Sequence, residues 1–488
     1  MNGGSMTTLS RVSMAAAAAL LVGLSPAAAA DLGGNCCADL EERVAELEAT
    51  TARKGNRKVS LTISGQISQQ LMFWDDGHQS DTYFSGPAQS NSRWRMTGSA
   101  RISPEITAGF IYEFEAFANS SGSQNQTLGS APPSNTISGG TGQDAGATSS
   151  NLREAMAWLE HSRLGRVSLG HGTVAAGSTI TVDLSGKGMA ASNDVRLHSS
   201  GMRLFSRDLH NITGNGYLAS GTWGGFFQGG SGDWLNERIE HIQYRTPTIA
   251  GFTLGASWGE DDYWDAAIRY AGEFNGIRLA GALGYSVRSG YEGTPGDLFC
   301  STECSKKLEQ LAGSLSIRHM PPGLFFTGAA GWRDMKSQDS VAASTLLPTD
   351  DDIGIQQGAK RANYDASFFY LSGGVARNFF GIGDTVLYGE YSQWKGVGQD
   401  TEFVGVIPQA FTFTDTNDVE IHTFGGSSSK LTHWGVGIVQ HVDAAAMEFW
   451  LSYKNYSLSG FELQTLMRDN IGKFEDLHII QAGTRIRF

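Results

Sequence analysis

The residues best placed to act are arginines at alternate positions. Arg93, Arg95 and Arg101 share one short stretch, and Arg485 and Arg487 share another. Glu113 and Glu115 repeat the spacing. Side chains of an extended chain alternate between its two faces, so each set projects one way. A guanidinium is permanently charged and acts on solutes through its field and its fork of donors. Further acids, Asp183, Asp194 and Asp208, together with Arg196, lie in a long polar stretch over 172–237. Acids facing arginines across a narrow gap create a transverse field. Such a field orients polar solutes and disfavours apolar ones that cannot offset lost water.

Covalent chemistry is poorly served. Eleven histidines are scattered without an H-E-x-x-H pair, and no G-x-S-x-G elbow is present. Ser168 and His171 are close in one segment and read as a wall serine and a rim or loop histidine. The sequence points to no enzyme, no metal centre and no cofactor. Cys300 and Cys304, in GDLFCSTECSKK, are expected to pair in an oxidising compartment and pin a loop tip. Free thiols or a metal pair are the alternatives, although no histidine or second cysteine pair lies nearby. The formal charge of -13, without a long basic run, argues against nucleic acid as a partner.

Period-two alternation must position these groups. Val59, Leu61, Ile63, Gly65 and Ile67 alternate with Ser60, Thr62, Ser64, Gln66 and Ser68. The pattern recurs in about 16 segments, ending with Ile480, Ala482, Thr484, Ile486 and Phe488 against Gln481, Gly483, Arg485 and Arg487. Tight links such as Asn275–Gly276 and Pro321–Gly323 alternate with long polar ones such as 118–151, 172–237 and 396–429. Aromatic residues gather near segment ends: Phe73, Trp74, Trp94, Tyr112, Trp258, Trp264, Phe274, Trp332, Phe379, Phe380, Trp394, Trp434 and Phe488. One greasy face, one wet face, aromatic girdles and alternating link lengths predict an all-β, closed antiparallel transmembrane barrel. In lipid an open sheet would leave edge amides unpaired, so the sheet must close.

Ahead of the strands, residues 1–30 read as a cleaved signal peptide, with small residues at Ala28 and Ala30. Residues 31–57 read as a short helix and linker in which Cys37, Leu40, Val44 and Leu47 keep a-to-d spacing. Barely more than two heptads is marginal alone, so this helix needs an oligomer or a surface. We expect a short parallel coiled coil, with one amphipathic helix against the barrel base as the alternative. Residues 58–488 form the barrel. Its third long link, 172–237, carries Ile180, Val182, Leu184, Val195, Leu197, Leu204 and Phe205, enough to pack it inward against the wall.

The start CCADLEERVAELEATTARKGNRKVSLTISGQI, the LMFWDDG end of the first strand, the GRVSLGHGTVA strand and the Phe-terminated last strand together resemble a trimeric general porin of alphaproteobacteria. The resemblance implies a homotrimer of sixteen-stranded barrels in the Gram-negative outer membrane, held in its lipids, with the third loop folded into the pore. It also implies that Phe488 marks the chain for membrane assembly. The expected function is passive diffusion of small hydrophilic solutes and ions. The alternatives are a solute-specific channel for sugar or phosphate, and a structural or adhesive outer-membrane barrel.

Overall fold

The computed structural model describes residues 59–117, 120–122, 124–126, 149–198, 201–213, 216–224, 234–235, 237–260, 262–292, 305–337, 364–396, 429–460, 463–464, 470–471 and 473–488. Cys37, Leu40, Val44, Leu47, Cys300 and Cys304 lie outside the described residues.

Sixteen long strands make the wall. They are β1 (Ser60–Asp75), β2 (Arg93–Arg101), β3 (Ile106–Phe117), β4 (Ser149–His161), β5 (Gly165–Thr173), β6 (Arg238–Arg245), β7 (Phe252–Gly259) and β8 (Trp264–Phe274). The second half holds β9 (Ile277–Glu292), β10 (Ser305–His319), β11 (Leu324–Ser337), β12 (Tyr364–Arg377), β13 (Thr385–Lys395), β14 (Lys430–Val442), β15 (Met447–Ser459) and β16 (Leu477–Arg487). Each pairs antiparallel with its neighbours in sequence, and β1 pairs with β16 to close the ring. Closure satisfies every strand edge within the protein, which a lipid environment demands. A short strand, Ser80–Ser85, turns back onto the upper part of β1, above the stretch that pairs with β2.

Burial follows the alternation. On β1, Gln66, Ser68 and Gln70 are buried, whereas Ile63, Ile67 and Leu71 are exposed. Exposed apolar side chains continue round the outside, including Leu169, Leu254, Leu283, Leu315, Leu371 and Leu451. Such a surface suits hydrocarbon and would be unfavourable in water. The tight links show true hairpin geometry. Asn275 and Gly276 both have positive φ (49° and 74°), as a type I′ turn requires.

The aromatic girdle needs one correction. Trp74 and Trp394 are buried on the lumen side, while Phe73, Trp94, Trp258, Trp264, Phe274, Trp332, Phe380 and Trp434 are exposed. Parity explains this: Trp74 continues the inward set Gln66, Ser68, Gln70, and Trp394 continues Glu390 and Ser392.

The link between β5 and β6 runs inside the wall. It carries two 3₁₀ turns, Thr179–Thr181 and Val195–His198, a hairpin of Arg203–Phe205 with Tyr217–Thr222, and a short helix, Arg207–Thr213. Ile180, Val195, Leu204 and Phe205 are buried there.

Candidate functional site

The inserted link is moored largely through its backbone. The amides of Ala175 and Ala176 donate to Ser257 Oγ and Asp265 Oδ2, each at 2.7 Å. Those of Val182 and Leu184 donate to Ser314 Oγ and Ser316 Oγ, each at 3.0 Å. These four acceptors are inward residues of β7, β8 and β10, so the segment descends one side of the lumen. Met189, Ala190 and Ala191 then pack on Phe325, Val386, Tyr388, Val439 and Trp450. Further on, Tyr456 Oη donates to the carbonyl of Val195 (3.4 Å) and Gln481 Nε2 to that of His198 (3.4 Å). The Phe205 carbonyl accepts the amide of Glu475 at 2.9 Å. The returning Trp234 lies edge-on to Phe368 and Trp394, which stack 4.2 Å apart, and the Arg333 guanidinium sits 4.2 Å over its ring.

Behind this segment the wall carries a buried ion pair. Lys454 Nζ reaches Glu390 Oε1 at 2.6 Å, and Tyr370 Oη donates to Glu390 Oε2 at 2.7 Å. Both charged side chains are fully buried. Burying two charges is costly, and the pairing with further hydrogen bonds is what makes it tolerable.

The inserted segment therefore covers the wall round from β7 to β16. A recess of about 680 Å³ remains against the other arc, lined by residues of β1 to β6, by Val174, Gly177 and Ser178 at the start of the insert, and by Arg269 of β8. Elsewhere on the wall, charges are organised around two carboxylates. Glu113 accepts from Arg95 Nε (2.6 Å) and Arg153 Nε (2.8 Å), with Arg93 Nη1 at 3.6 Å. Arg153 also bonds Glu115. Glu448 holds Arg485 at 2.7 Å and Arg487 at 3.4 Å. Arg485 Nη1 lies 3.5 Å from Gln66 Oε1, which ties this pair to β1.

Four of the five expected arginines thus lie in these two clusters, and Glu113 and Glu115 sit beside Arg93 and Arg95 as counter-charges, whereas Arg101, exposed at the end of β2, joins neither cluster. Asp183 of the loop does not face them. Asp183 is held by Lys187 (3.2 Å), by Ser185 and by Thr327 Oγ1 of β11 (3.1 Å), on the far wall. Burial pushes its carboxyl up, but the Lys187 charge and the Ser185 hydrogen bonds outweigh this and leave it below the ordinary aspartate range. Asp194 is buried, and Asp208 is exposed on the short helix. The side chain of Arg196 lies outside the described residues. The expectation of loop acids opposite wall arginines is therefore corrected for Asp183. Its own i,i+4 lysine, visible in the sequence, competes for it.

Ser168 and His171 form no dyad. Ser168 is buried towards the lumen, and His171 pairs across the strands with Glu240 at 3.6 Å. Sequence reasoning missed Arg153, Arg166, Arg245, Arg269 and Glu448. Arg153 is hidden by a β-bulge opposite Glu113 and Phe114, which breaks the parity of β4. The other four follow alternation and could have been found by extending it past the first three strands.

The sequence over residues 15–343 matches the family model described as Gram-negative porin. The chain belongs to the Gram-negative porin family. It works as an outer-membrane porin, a channel for passive diffusion. Among curated proteins none matches the sequence. Among solved structures, the porin fold resembles the anion-selective porin from Comamonas acidovorans, at 14% identity and TM-score 0.50, with 88% of this chain and all (100%) of that chain covered. It also resembles OmpT of Vibrio cholerae, at 9% identity and TM-score 0.45, covering 89% of this chain and 99% of that one. A third is OmpF of Salmonella typhi, solved with daunomycin, at 13% identity and TM-score 0.44, covering 88% and 98%.

Proposed function

We propose that this porin is a general diffusion channel with a preference for anions, narrowed by the 172–237 loop. The observation that carries the reading is the excess of inward guanidiniums over carboxylates in the uncovered arc. Arg93, Arg95, Arg153, Arg166 and Arg245 are met there by Glu113, Glu115, Glu154 and Glu160, and a further two guanidiniums, Arg485 and Arg487, share the single carboxylate of Glu448 on β15 and β16. A low-dielectric wall focuses that surplus into the water beside it, raising local anion concentration. Asp183 of the loop is taken by Lys187 and Thr327 on the far wall, so it does not cancel it. Ser168 and His171 point to no hydrolytic role, and the reading is a channel without catalysis.

Arg95→Ala and Arg101→Ala test this. Each removes a positive charge from the arc, so reversal potentials in a planar bilayer under a salt gradient should move towards cation preference. Unchanged reversal potentials in both variants would refute the assignment.

We read the functional unit as a homotrimer. Gln69 is exposed on the outside of β1, beside Thr484 of β16, between Ile67 and Leu71. An amide facing hydrocarbon without a partner costs several kcal/mol, roughly. Facing another copy of the chain, it gains one, and the small outward residues Ala100 and Ala482 let the walls approach. Native mass in mild detergent tests the trimer, and a monomer there would overturn it. The a-to-d spacing of Cys37, Leu40, Val44 and Leu47 supports the same assembly, and the opening segment supports an alphaproteobacterial kinship. A cleaved segment at 1–30 and a Cys300–Cys304 bridge complete the proposed mature protein, held in outer-membrane lipids with Phe488 as its assembly mark.

A further inference from the structure

The arginines near the short-turn rim are differently placed from those round Glu113. Arg166 and Arg245 face one another in the register of β5 and β6, and Arg269 lies on β8. All three line the recess, with Ser168, Thr107 and Gln243 among them. Arg166 is held over the Trp158 ring at 4.2 Å and bonds Glu160 through Nε at 2.8 Å. Arg269 donates to the carbonyl of Gly177 at 2.6 Å, a neutral partner. The Arg245 guanidinium has neither a hydrogen bond nor a carboxylate at ion-pair distance among the described residues.

Two of these guanidiniums therefore carry charge that no side chain neutralises at contact distance, while the third is fixed in place by Glu160 and Trp158. Each presents a planar fork that matches the spacing of two oxygens on one carboxylate or phosphate. The hydroxyls of Ser168 and Thr107 supply neutral donors. A chloride ion can use the charge but not the paired forks. A solute with several oxygens sharing two charges can use both.

Resting on the reading of the chain as an open channel, we propose that Arg245 and Arg269, with Arg166 beside them, form a binding site for small solutes bearing a doubly charged oxyanion. Phosphate monoesters and dicarboxylates share that chemistry. The site holds such a solute briefly during passage and makes its flux saturable.

The test is single-channel current in planar bilayers at fixed ionic strength, with inorganic phosphate or succinate added to one side. Wild type is expected to show a saturable reduction in chloride current with either probe. Block by one probe alone would assign the site to that class. In R245Q and R269Q the half-blocking concentration should rise about tenfold, as loss of a charge-assisted pair implies. R245K, which keeps the charge and loses the fork, should fall between. R278Q changes an exposed arginine paired with Glu273 outside the recess, and should leave block unchanged. Folding of each variant is checked by its heat-dependent migration. Steps in wild type without saturable block, or equal block in R245Q, R269Q and wild type, would overturn the site while leaving the channel. No conductance steps at all would overturn the channel and the site with it.

Discussion

Gly65 and Phe488 bond to one another through both backbone groups. The Gly65 amide donates to the Phe488 carbonyl at 2.8 Å, and the Phe488 amide donates back at 3.1 Å. The Phe488 ring lies where a side chain at Gly65 would be: a Cβ there would stand 2.5 Å from Cζ and 2.6 Å from the Arg93 carbonyl. Gly65→Val should therefore force the ring and the β1–β2 pairing apart, at a cost of about 1–3 kcal/mol. The expected result is a lower unfolding temperature in detergent and less assembled barrel in the membrane. Normal assembly of that variant would show that the ring can yield freely.

Lys454→Met should be more damaging than Lys454→Met combined with Glu390→Gln. The single change strands a buried carboxylate, a loss of roughly 3–5 kcal/mol. The double change removes both charges and leaves Tyr370 with an amide oxygen to donate to. Thermal unfolding of both variants in detergent measures the difference. Equal loss in the two would mean that packing, not charge, dominates at this site.

Trp234→Ala should loosen the inserted segment where it returns to β6. Its ring is enclosed by Arg333, Phe368 and Trp394, and truncating a buried tryptophan costs roughly 3–5 kcal/mol. The barrel keeps its own pairing, so the effect should be local: larger and noisier single-channel steps with little change in barrel melting. Steps identical to wild type would place the seat of the loop elsewhere.

Acid should unseat the same segment at its other side. Asp183 titrates below the ordinary aspartate range when folded. Its stabilisation is thus complete above that range and is lost as pH falls through the lowered value. Burial, with Lys454 and His433 nearby, also pushes His198 well below the usual histidine range, so its neutral seat likewise weakens only on the acid side. Conductance noise should rise as pH drops below the aspartate range. Asp183→Asn should show some of that noise already at neutral pH and a flatter profile. Superimposable pH profiles for Asp183→Asn and wild type would remove Asp183 from this role.

The barrel was legible because its rule is local. A strand facing lipid on one side and water on the other must alternate, and stretches such as Val59–Ser68 say so residue by residue. The same rule, applied strictly, would have turned Trp74 and Trp394 inward, since Phe73 and Trp74 cannot share a face. The course of the inserted segment was not legible. Its apolar residues show that it packs, but its moorings join amides of Val182 and Leu184 to Ser314 and Ser316, far away in sequence. Backbone donors carry no sequence signature, and a wall serine looks like any other lumen residue. Nor could spacing alone reveal that Asp183 is taken by Lys187 and Thr327 rather than by the arginines.

That the wall grips amides at Ala175, Ala176, Val182 and Leu184 divides evolutionary freedom unevenly. Almost any residue except proline supplies the same N–H, so the gripped stretch can change its side chains and keep its course. Ser257, Asp265, Ser314 and Ser316 have no such latitude. Lineages can therefore retune what the constriction presents to passing solutes through substitutions in the insert, while the staves that hold it stay fixed.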